Sequence, residues 1–275
     1  MQTSRLAVIG CGNMGRSLVG GLIADGRPAT ALCAADPDAA QRERMQSQFW
    51  IDTHADNDAA LNGADVVIFA VKPQSMKAVV RAAAPRLREL RPLILSIAAG
   101  IRLGDIGRWL GADLPVVRAM PNTPALIRAG ATALCAGANV SAAQRDAAEQ
   151  IMRAVGDALW VEDEALLDVV TALSGSGPAY FFLLMETLEK TAVELGLTPA
   201  QARALTLQTA LGAARMALAG NSDPAGLRRQ VTSPGGTTEA ALQVLERTGV
   251  ARAFRDAVRA ASQRAAELAR TYGAD

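Results

Sequence analysis

Short apolar runs alternate with stretches of helical periodicity from residue 5 to about residue 161. The first run ends in glycines, and an amphipathic stretch carrying Leu18, Leu22 and Ile23 follows it at once. Runs of strand length are found at residues 6–9, 29–35, 65–71, 92–98, 115–119, 131–136 and 158–161, and helical stretches at 16–25, 75–88, 103–110 and 142–155. Continuous apolar runs are typical of parallel strands covered on both faces. The alternation predicts an α/β fold with a doubly wound parallel sheet.

The pattern changes after residue 163, where strand-like runs stop. Apolar residues then recur at spacings of three and four up to about residue 273, as Phe181, Leu184 and Leu188 do. Breaks containing Gly and Pro divide this part into helices. We therefore expect an α/β domain at residues 1–163 and an all-helical domain at residues 164–275. The Ala and Leu faces of these helices exceed what one small bundle needs, so we expect them to pack against a second copy of the chain. Packing against the first domain is the alternative.

Composition and charge exclude several classes of function. The formal net charge of +1 over 275 residues gives no basic footprint, so no nucleic-acid partner is expected. No 18 apolar residues follow one another, and no charged stretch with a long apolar run opens the chain, so neither a membrane span nor a secretory signal is expected. Three distant cysteines, Cys11, Cys33 and Cys135, are typical of buried thiols in a reducing compartment, which favours a cytoplasmic protein. The single histidine, His54, is expected in a loop or on the surface, and no metal site is expected.

The first apolar run ends in three glycines with the spacing of a dinucleotide-binding turn. Gly10 permits the tight turn, Gly12 lets a pyrophosphate approach the backbone, and Gly15 lets helix and strand pack closely. The helix that follows presents its N-terminus to the phosphates. The predicted cofactor contacts here are Gly10, Cys11, Gly12, Asn13, Met14 and Gly15. A plain glycine-rich turn between strand and helix is the alternative, but the position before an alternating sheet favours a Rossmann-type fold.

Asp36 stands at the end of the second predicted strand, 21 residues after Gly15 (36 − 15). A carboxylate at this place accepts hydrogen bonds from the adenosine ribose and repels a 2′-phosphate, which favours NADH. Arg42 and Arg44 follow closely and could offset this repulsion for NADPH. The alternative role of Asp36 is to cap a helix that begins at Pro37, and both roles are compatible.

Further cofactor-lining residues are expected where later strands end, because ligands of such sheets bind at the carboxyl ends of strands. The run at 65–71 leads into Val71, Lys72 and Pro73. The next strand ends in small residues at 98–100, and the one after it leads into a proline-framed loop with Asn122 in its middle.

Two stretches in the helical half carry unusual residues. Residues 171–180 combine small residues with a proline before a long helix, which allows another element to come close. Residues 231–240 place a Pro-Gly-Gly turn between hydroxyl residues just before a helix. Consecutive N–H groups of Gly235 and Gly236 at a helix N-terminus form a site for an anion of carboxylate size. The alternative is an ordinary cap, with Thr237 or Thr238 as the capping residue and Glu239 supporting the dipole.

The helical half lacks the groups that a carbonyl reductase usually needs to protonate an alkoxide, since it contains no histidine and no evident acid pair. Reduction of a cyclic imine needs no strong acid. If the imine binds protonated, hydride transfer to its C=N⁺ bond gives the amine directly, and catalysis is mainly positioning and electrostatics. An imino acid whose carboxylate is held at residues 233–238 fits this pattern.

Five motifs in this order resemble the pyrroline-5-carboxylate reductase family over nearly the whole chain. They are GCGNMG at residues 10–15, AVKP at 70–73, MPNTP at 120–124, LSGSGPAY at 173–180 and VTSPGGTT at 231–238. The resemblance implies reduction of 1-pyrroline-5-carboxylate to L-proline with NADPH or NADH, the last step of proline biosynthesis. It also implies a Rossmann domain followed by an all-helical C-terminal dimerisation domain, with homodimers that assemble into decamers in many members.

The resemblance also implies roles for individual residues. Thr238 would hydrogen-bond the ring nitrogen, and Ser233 with the backbone of Gly235, Gly236 and Thr237 would hold the carboxylate. The cofactor would be lined by Asn57, Ala70, Val71, Lys72, Pro73, Ala98 and Asn122. Asp36 stands where some members carry a neutral hydroxyl residue, which argues against strict NADPH preference.

Two other functions compete with this interpretation. A β-hydroxyacid dehydrogenase also joins a Rossmann domain to helices, but it usually carries a catalytic lysine there. Lys190 is the only lysine after residue 77, and it lies on a polar helix face. A nucleotide-sensing or pyridoxal-phosphate-binding module would need no anion site at residues 233–238.

Overall fold

The computed structural model describes residues 4–220 and 222–274. Over these residues eight strands form one sheet: β1 (Leu6–Ile9), β2 (Leu32–Ala35), β3 (Asp52–His54), β4 (Val66–Phe69), β5 (Leu93–Ser96), β6 (Val116–Met120), β7 (Gly130–Ala136) and β8 (Gly156–Trp160). Their order across the sheet is β3-β2-β1-β4-β5-β6-β7-β8. All neighbouring pairs are parallel except β6 and β7. The predicted α/β sheet of Rossmann type is confirmed.

The helices are, in chain order, α1 (Asn13–Ala24), α2 (Ala39–Phe49), α3 (Asn57–Leu61), α4 (Pro73–Leu90), α5 (Leu103–Leu110), α6 (Ala142–Arg153), α7 (Leu166–Val170), α8 (Gly177–Glu194), α9 (Pro199–Ala219), α10 (Pro224–Gln230), α11 (Thr237–Arg247) and α12 (Val250–Gly273). No strand follows β8 in the described part of the chain, so the prediction of an all-helical C-terminal half is confirmed.

Two apolar layers cover the sheet, one on each face. Along β1, Leu6 and Val8 point into a layer shared with α1 and α6, whereas Ala7 and Ile9 point into a layer shared with α4 and α5. Successive side chains of a strand alternate between faces, and both faces here are dry. This double burial explains why the strands are continuously apolar in sequence.

The strand that follows β6 departs from the predicted alternation. A short 3-10 turn, Thr123–Ile127, joins β6 to β7 in place of a helix. A parallel return needs a crossover of a dozen or more residues. The connection is too short for that, so β7 runs antiparallel to β6, and the expectation of a wholly parallel sheet is wrong at this pair.

Local differences from the sequence expectations have simple causes. The predicted second strand begins as a 3-10 turn, Ala29–Ala31, because Pro28 precedes it and cannot donate to a ladder. Strand β3 and helix α3 were not predicted, since Asp52–His54 is polar and lies at the sheet edge. His54, expected in a loop or on the surface, is the half-buried last residue of β3.

The chain divides into two compact units at Ser176/Gly177 and again at Arg259/Ala260. One unit holds the sheet and the end of α12; the other holds α8 to α11 and the start of α12. The predicted domain boundary at 163/164 differs from this division and stays a prediction. The sheet-containing unit keeps α7 because Leu167 packs with Ala133 and Cys135 of β7.

Large apolar side chains are exposed on α8 and α9. The most exposed are Phe181, Phe182, Leu183, Leu205 and Leu218. By length and composition alone, the run Leu166–Glu194 could cross a membrane, a test that core helices of soluble proteins also pass. An apolar face of this extent marks an association surface.

Candidate active site

The three glycines of the β1–α1 turn have different neighbours. Gly10 has φ +109°, and a Cβ there would lie 2.7 Å from the carbonyl oxygen of Ala70. A Cβ at Gly15 would overlap the carbonyl oxygen of Gly10. A Cβ at Gly12 would meet nothing within 4 Å. Gly10 and Gly15 are therefore required by packing, whereas Gly12 borders open space of the kind that a pyrophosphate would fill.

The start of α1 is suited to an anion. Gly12 is the N-cap, and no side chain caps the helix. The first N–H groups of a helix have no partner within it, and the helix dipole adds positive character. The amide of Asn13 accepts from Arg16 and does not cap the turn. This end of α1 can therefore hold phosphate oxygens.

Cys11 lies in the same turn but is no nucleophile. Its side chain is fully buried. Burial, followed by the nearby Asp36 carboxylate, raises the pKa of its thiol to about 12. Burial likewise raises the pKa of the Cys33 and Cys135 thiols. The expectation of three buried free cysteines is confirmed.

Asp36 follows β2 and is bound to backbone on both sides. Its Oδ2 accepts from the N–H of Cys11 at 2.8 Å and its Oδ1 from the N–H of Asp38 at 2.9 Å. The N-cap of α2 is Asp38, whose side chain accepts from the N–H of Ala40. The alternative that Asp36 caps a helix beginning at Pro37 is therefore wrong. The carboxylate is instead fixed between the ends of β1 and β2.

The arginines near Asp36 differ in what they contact. Arg42 donates from one guanidinium nitrogen to the carbonyl oxygens of Asp36 and Pro37, at 2.8 and 2.9 Å. Arg44 is exposed. Only Arg42 is therefore held at the end of β2, where a 2′-phosphate would approach.

The predicted cofactor residues collect at one edge of the sheet. They follow the carboxyl ends of six successive strands: residues 10–15 after β1, Asp36 after β2, Asn57 after β3, residues 70–73 after β4, Ala98 after β5 and Asn122 after β6. These six strands are mutually parallel, so their carboxyl ends share an edge. Lys72 is the N-cap of α4, and Pro73 is its first residue. This edge is where a doubly wound sheet binds ligands.

Asn122 has a structural duty that the sequence did not indicate. Its Nδ2 donates to the carbonyl oxygen of Ser174 at 3.0 Å, and its Oδ1 accepts from the N–H of Ala131 at 2.9 Å. The side chain thus ties the loop after β6 to β7 and to residues 171–175. These residues form a single π-helical turn, Thr171–Gly175, of a type that is frequent at functional sites.

The expected close approach at residues 171–180 is found at Gly175. A Cβ there would lie 2.8 Å from the Cε of Met120. The small residues of this segment therefore admit the end of β6.

In the second unit, the Pro-Gly-Gly turn begins α11. Gly235 has φ +70°, and the N–H of Gly236 donates to the carbonyl oxygen of Ser233 at 3.0 Å. Gly236 is the N-cap, without any side-chain cap, so neither Thr237 nor Thr238 caps the helix. Glu239 accepts from the N–H of Gly235 at 2.8 Å. A Glu three positions after the N-cap that binds back to the preceding turn is a variant of the capping box.

This arrangement can hold a small carboxylate. The uncapped N-terminus of α11 offers N–H groups and positive dipole character. Thr238 is half-buried, and Ser233 and Thr237 are exposed. The N–H of Gly235 is taken by Glu239 and that of Gly236 by the carbonyl oxygen of Ser233, so the expectation that these two N–H groups are the free donors of the site is wrong. The remaining donors are the N–H groups that follow Gly236 and the hydroxyl groups of the turn.

Two family models match the chain. The one described as pyrroline-5-carboxylate reductase dimerisation matches residues 164–268, and the one described as NADP oxidoreductase coenzyme F420-dependent matches residues 5–100.

Similar proteins cover the whole chain. A pyrroline-5-carboxylate reductase of Pseudomonas aeruginosa is 55% identical over 273 residues, which are 99% of this chain and 100% of the relative. The solved pyrroline-5-carboxylate reductase of Coxiella burnetii has a TM-score of 0.92 at 45% identity, over 97% of this chain and 98% of its own. The pyrroline carboxylate reductase of Plasmodium falciparum, solved with NADP bound, has a TM-score of 0.87 at 27% identity, over 98% and 99% of the two chains. The chain therefore belongs to the pyrroline-5-carboxylate reductase family.

Proposed function

We infer that this chain is an NAD(P)H-dependent pyrroline-5-carboxylate reductase, which converts 1-pyrroline-5-carboxylate to L-proline in the last step of proline biosynthesis. The observation that carries this inference is the 55% identity to the Pseudomonas aeruginosa reductase over the full length of both chains. The uncapped start of α1 and the Pro-Gly-Gly turn supply the two anion sites that this reaction needs.

The cofactor edge fits a reduced dinucleotide. The space beside Gly12, which a Cβ would fill, and the free helix end next to it suit a pyrophosphate. We propose that the residues following β1 to β5, with Asn122 after β6, hold the cofactor, and that Asp36 receives the adenosine ribose. When bound, NADPH or NADH supplies the hydride.

The turn before α11 would bind the imino acid. The Ser233 hydroxyl and the backbone N–H of Thr237 would hold the carboxylate at the positive end of the helix, on a turn that Gly235 and Gly236 shape. The Thr238 hydroxyl would hydrogen-bond the ring nitrogen and keep the imine carbon oriented. Positioning and charge stabilisation thus replace a strong acid, because the protonated imine becomes a neutral amine once it accepts hydride.

The competing functions have weaker support. Lys190, the only lysine of the helical half, is exposed and pairs with Glu186 at 2.5 Å on the same helix. The hydrogen bond from Lys190 lowers the pKa of the Glu186 carboxyl and raises that of the ammonium, so Lys190 is a charged surface group. A cofactor-binding module without enzymatic activity would have no use for the turn before α11.

The match to a dimerisation domain supports association of several copies of the chain. We propose a homodimer formed through the exposed apolar faces of α8 and α9, with further assembly into decamers. A net charge of +1 and three buried free cysteines support a cytoplasmic enzyme without nucleic-acid or membrane partners.

One assay tests the proposed function. The purified chain is mixed with 1-pyrroline-5-carboxylate and either NADPH or NADH, and oxidation is followed by the loss of nicotinamide absorbance while proline is quantified. We expect stoichiometric proline and oxidised cofactor. Absence of oxidation with both cofactors would refute the proposal.

Thr238→Ala is expected to lower kcat about 10- to 100-fold, because the substitution removes the hydroxyl group that orients the imine nitrogen. NADPH affinity, measured by fluorescence titration, should stay unchanged. Thr248→Ala is the matched control, since in the described part of the chain its hydroxyl donates to the carbonyl oxygens of Val244 and Leu245 in α11. Lost NADPH affinity in Thr238→Ala would show that the substrate role is misassigned.

Asp36→Ser is expected to shift the ratio of kcat/KM for NADPH over NADH about tenfold toward NADPH, because one negative charge beside the ribose is removed. The kcat/KM values for NADPH and for NADH are each measured from initial rates. Asp38→Ser removes a neighbouring charge and retains a good N-cap residue, so it serves as the control. An unchanged ratio in Asp36→Ser would mean that this carboxylate does not set cofactor choice.

A further inference from the structure

The end of α12 packs against the loops at the cofactor edge. Ala265 and Ala269 are buried, and the half-buried Tyr272 joins the apolar layer of α4 and α5. The Tyr272 hydroxyl accepts from Nε2 of Gln74 at 3.1 Å. All these residues belong to the compact unit that holds the sheet.

The Tyr272 ring lies directly on Gly100. Gly100 has φ +73°, and a Cβ there would lie 3.2 Å from Cδ2 of the ring and 3.5 Å from the backbone nitrogen of Ala269. Gly100 therefore stands in a conformation that favours glycine, and it admits the helix at a distance that a side chain would crowd. The loop after β5, which contains Ala98, is covered by α12 through this contact.

Two further contacts anchor the residues beyond Tyr272. The carbonyl oxygen of Gly273 accepts from Arg108 at 2.8 Å, and that of Ala274 accepts from Lys77 at 3.3 Å. A Cβ at Gly273 would lie 2.5 Å from the buried Asp105 carboxylate. The chain end is thus docked on α4 and α5 and does not depend on Tyr272 alone.

We propose that Tyr272 is a positioning residue for the nicotinamide cofactor. Gln74 directly follows Lys72 and Pro73, and Gly100 closely follows Ala98, so one side chain contacts both loops that line the predicted cofactor edge after β4 and β5. The hydroxyl fixes the start of α4, and the ring fixes the loop after β5. This proposal rests on the proposed function, because it concerns the same cofactor site.

The test compares Tyr272→Ala, Tyr272→Phe and Gln74→Met by direct titration of NADPH fluorescence, with the KM for pyrroline-5-carboxylate measured alongside. Tyr272→Ala is expected to raise the NADPH dissociation constant about tenfold, since both loops lose their contact. Tyr272→Phe and Gln74→Met should each raise the NADPH dissociation constant about threefold. The double variant should also raise it about threefold, because both substitutions remove the same hydrogen bond. The KM for pyrroline-5-carboxylate should change less than about twofold.

Thr271→Val is the matched control, since Thr271 is exposed and, among the described residues, its hydroxyl donates to the carbonyl oxygen of Glu267 on the same helix. It should bind NADPH as the natural chain does. If Tyr272→Ala does not fold, the NADPH affinities of Tyr272→Phe and Gln74→Met test the proposal. Wild-type NADPH affinity in Tyr272→Phe and Gln74→Met, or additive effects in their double variant, would overturn the proposal. Binding is read without turnover, so a chain that binds NADPH but does not reduce pyrroline-5-carboxylate would refute the proposed function and leave this test intact.

Discussion

Gly12→Ala is expected to leave the fold intact and to raise the NADPH dissociation constant about tenfold or more. The backbone of Gly12 has φ −67° and ψ −174°, which alanine adopts without strain, and an added Cβ meets no protein atom within 4 Å. The methyl group instead enters the space that the pyrophosphate needs. Displacing one charge-assisted hydrogen bond removes about 1.5–3 kcal/mol of binding, and 1.4 kcal/mol is a factor of about ten.

Gly15→Ala is the control that separates a packing defect from a loss of cofactor binding. Its Cβ would overlap the carbonyl oxygen of Gly10, so helix and strand have to separate. We expect Gly15→Ala to lower Tm by several degrees, whereas Gly12→Ala keeps Tm within about 2 °C. Thermal unfolding and NADPH titration measure the two effects. Normal NADPH affinity in Gly12→Ala would place the pyrophosphate elsewhere.

Glu164→Ala is expected to destabilise the chain by about 3–5 kcal/mol, because it leaves a buried guanidinium without its counter-charge. Arg118 is 1% exposed in the interior of the sheet, and its Nη1 donates to Oε1 of Glu164 at 3.0 Å. The same oxygen accepts from the N–H of Leu103 at 2.7 Å. The Nη2 of Arg118 has no hydrogen-bond partner in the described residues, so the Glu164 carboxylate is the main group that stabilises the buried positive charge.

Urea unfolding measures this loss against a surface control. Glu162→Ala removes a carboxylate that is 85% exposed and pairs with Arg145 at 3.2 Å. Such a pair is worth about 0–1 kcal/mol, so this control should stay close to the natural chain. Arg118→Met combined with Glu164→Leu should recover most of the stability, because apolar side chains can replace a buried ion pair. A loss in Glu164→Ala no greater than in the control would contradict the assignment.

The cofactor edge could be predicted from sequence because its residues follow strands. Apolar runs identify β1, β2, β4, β5 and β6, and parallel strands bring their carboxyl ends to one edge. Residue 57 could be assigned only through the family resemblance, since the strand before it, Asp52–His54, is polar and gives no apolar signal.

Other parts of the site depend on contacts that local patterns do not encode. Whether Asp36 or Asp38 caps α2 is decided by where β2 ends, and two carboxylates only two positions apart give the same sequence signal. The amide of Asn122 is engaged by Ser174, 52 residues away, and Tyr272 reaches Gln74 across 198 residues. The bond between Glu239 and Gly235 is local, and the capping-box spacing could have indicated it.

The antiparallel pairing of β7 was missed for a related reason. The apolar pattern of a strand indicates how it is buried, but it does not indicate whether the strand runs parallel or antiparallel to its neighbour. The direction follows from the length of the connection, and the prolines of the loop after β6 concealed a 3-10 turn too short for a crossover.

The cysteine inside the dinucleotide turn has a consequence for chemical intervention. Thiol reagents, peroxide and soft metal ions react with thiolates, and burial with a nearby carboxylate raises the pKa of Cys11 to about 12. At neutral pH the Cys11 thiol therefore stays protonated and buried, and its reactive thiolate form is scarce. We therefore expect this turn to resist thiol oxidation, and an inhibitor directed at it to act by reversible competition with the cofactor, because its one thiol is buried.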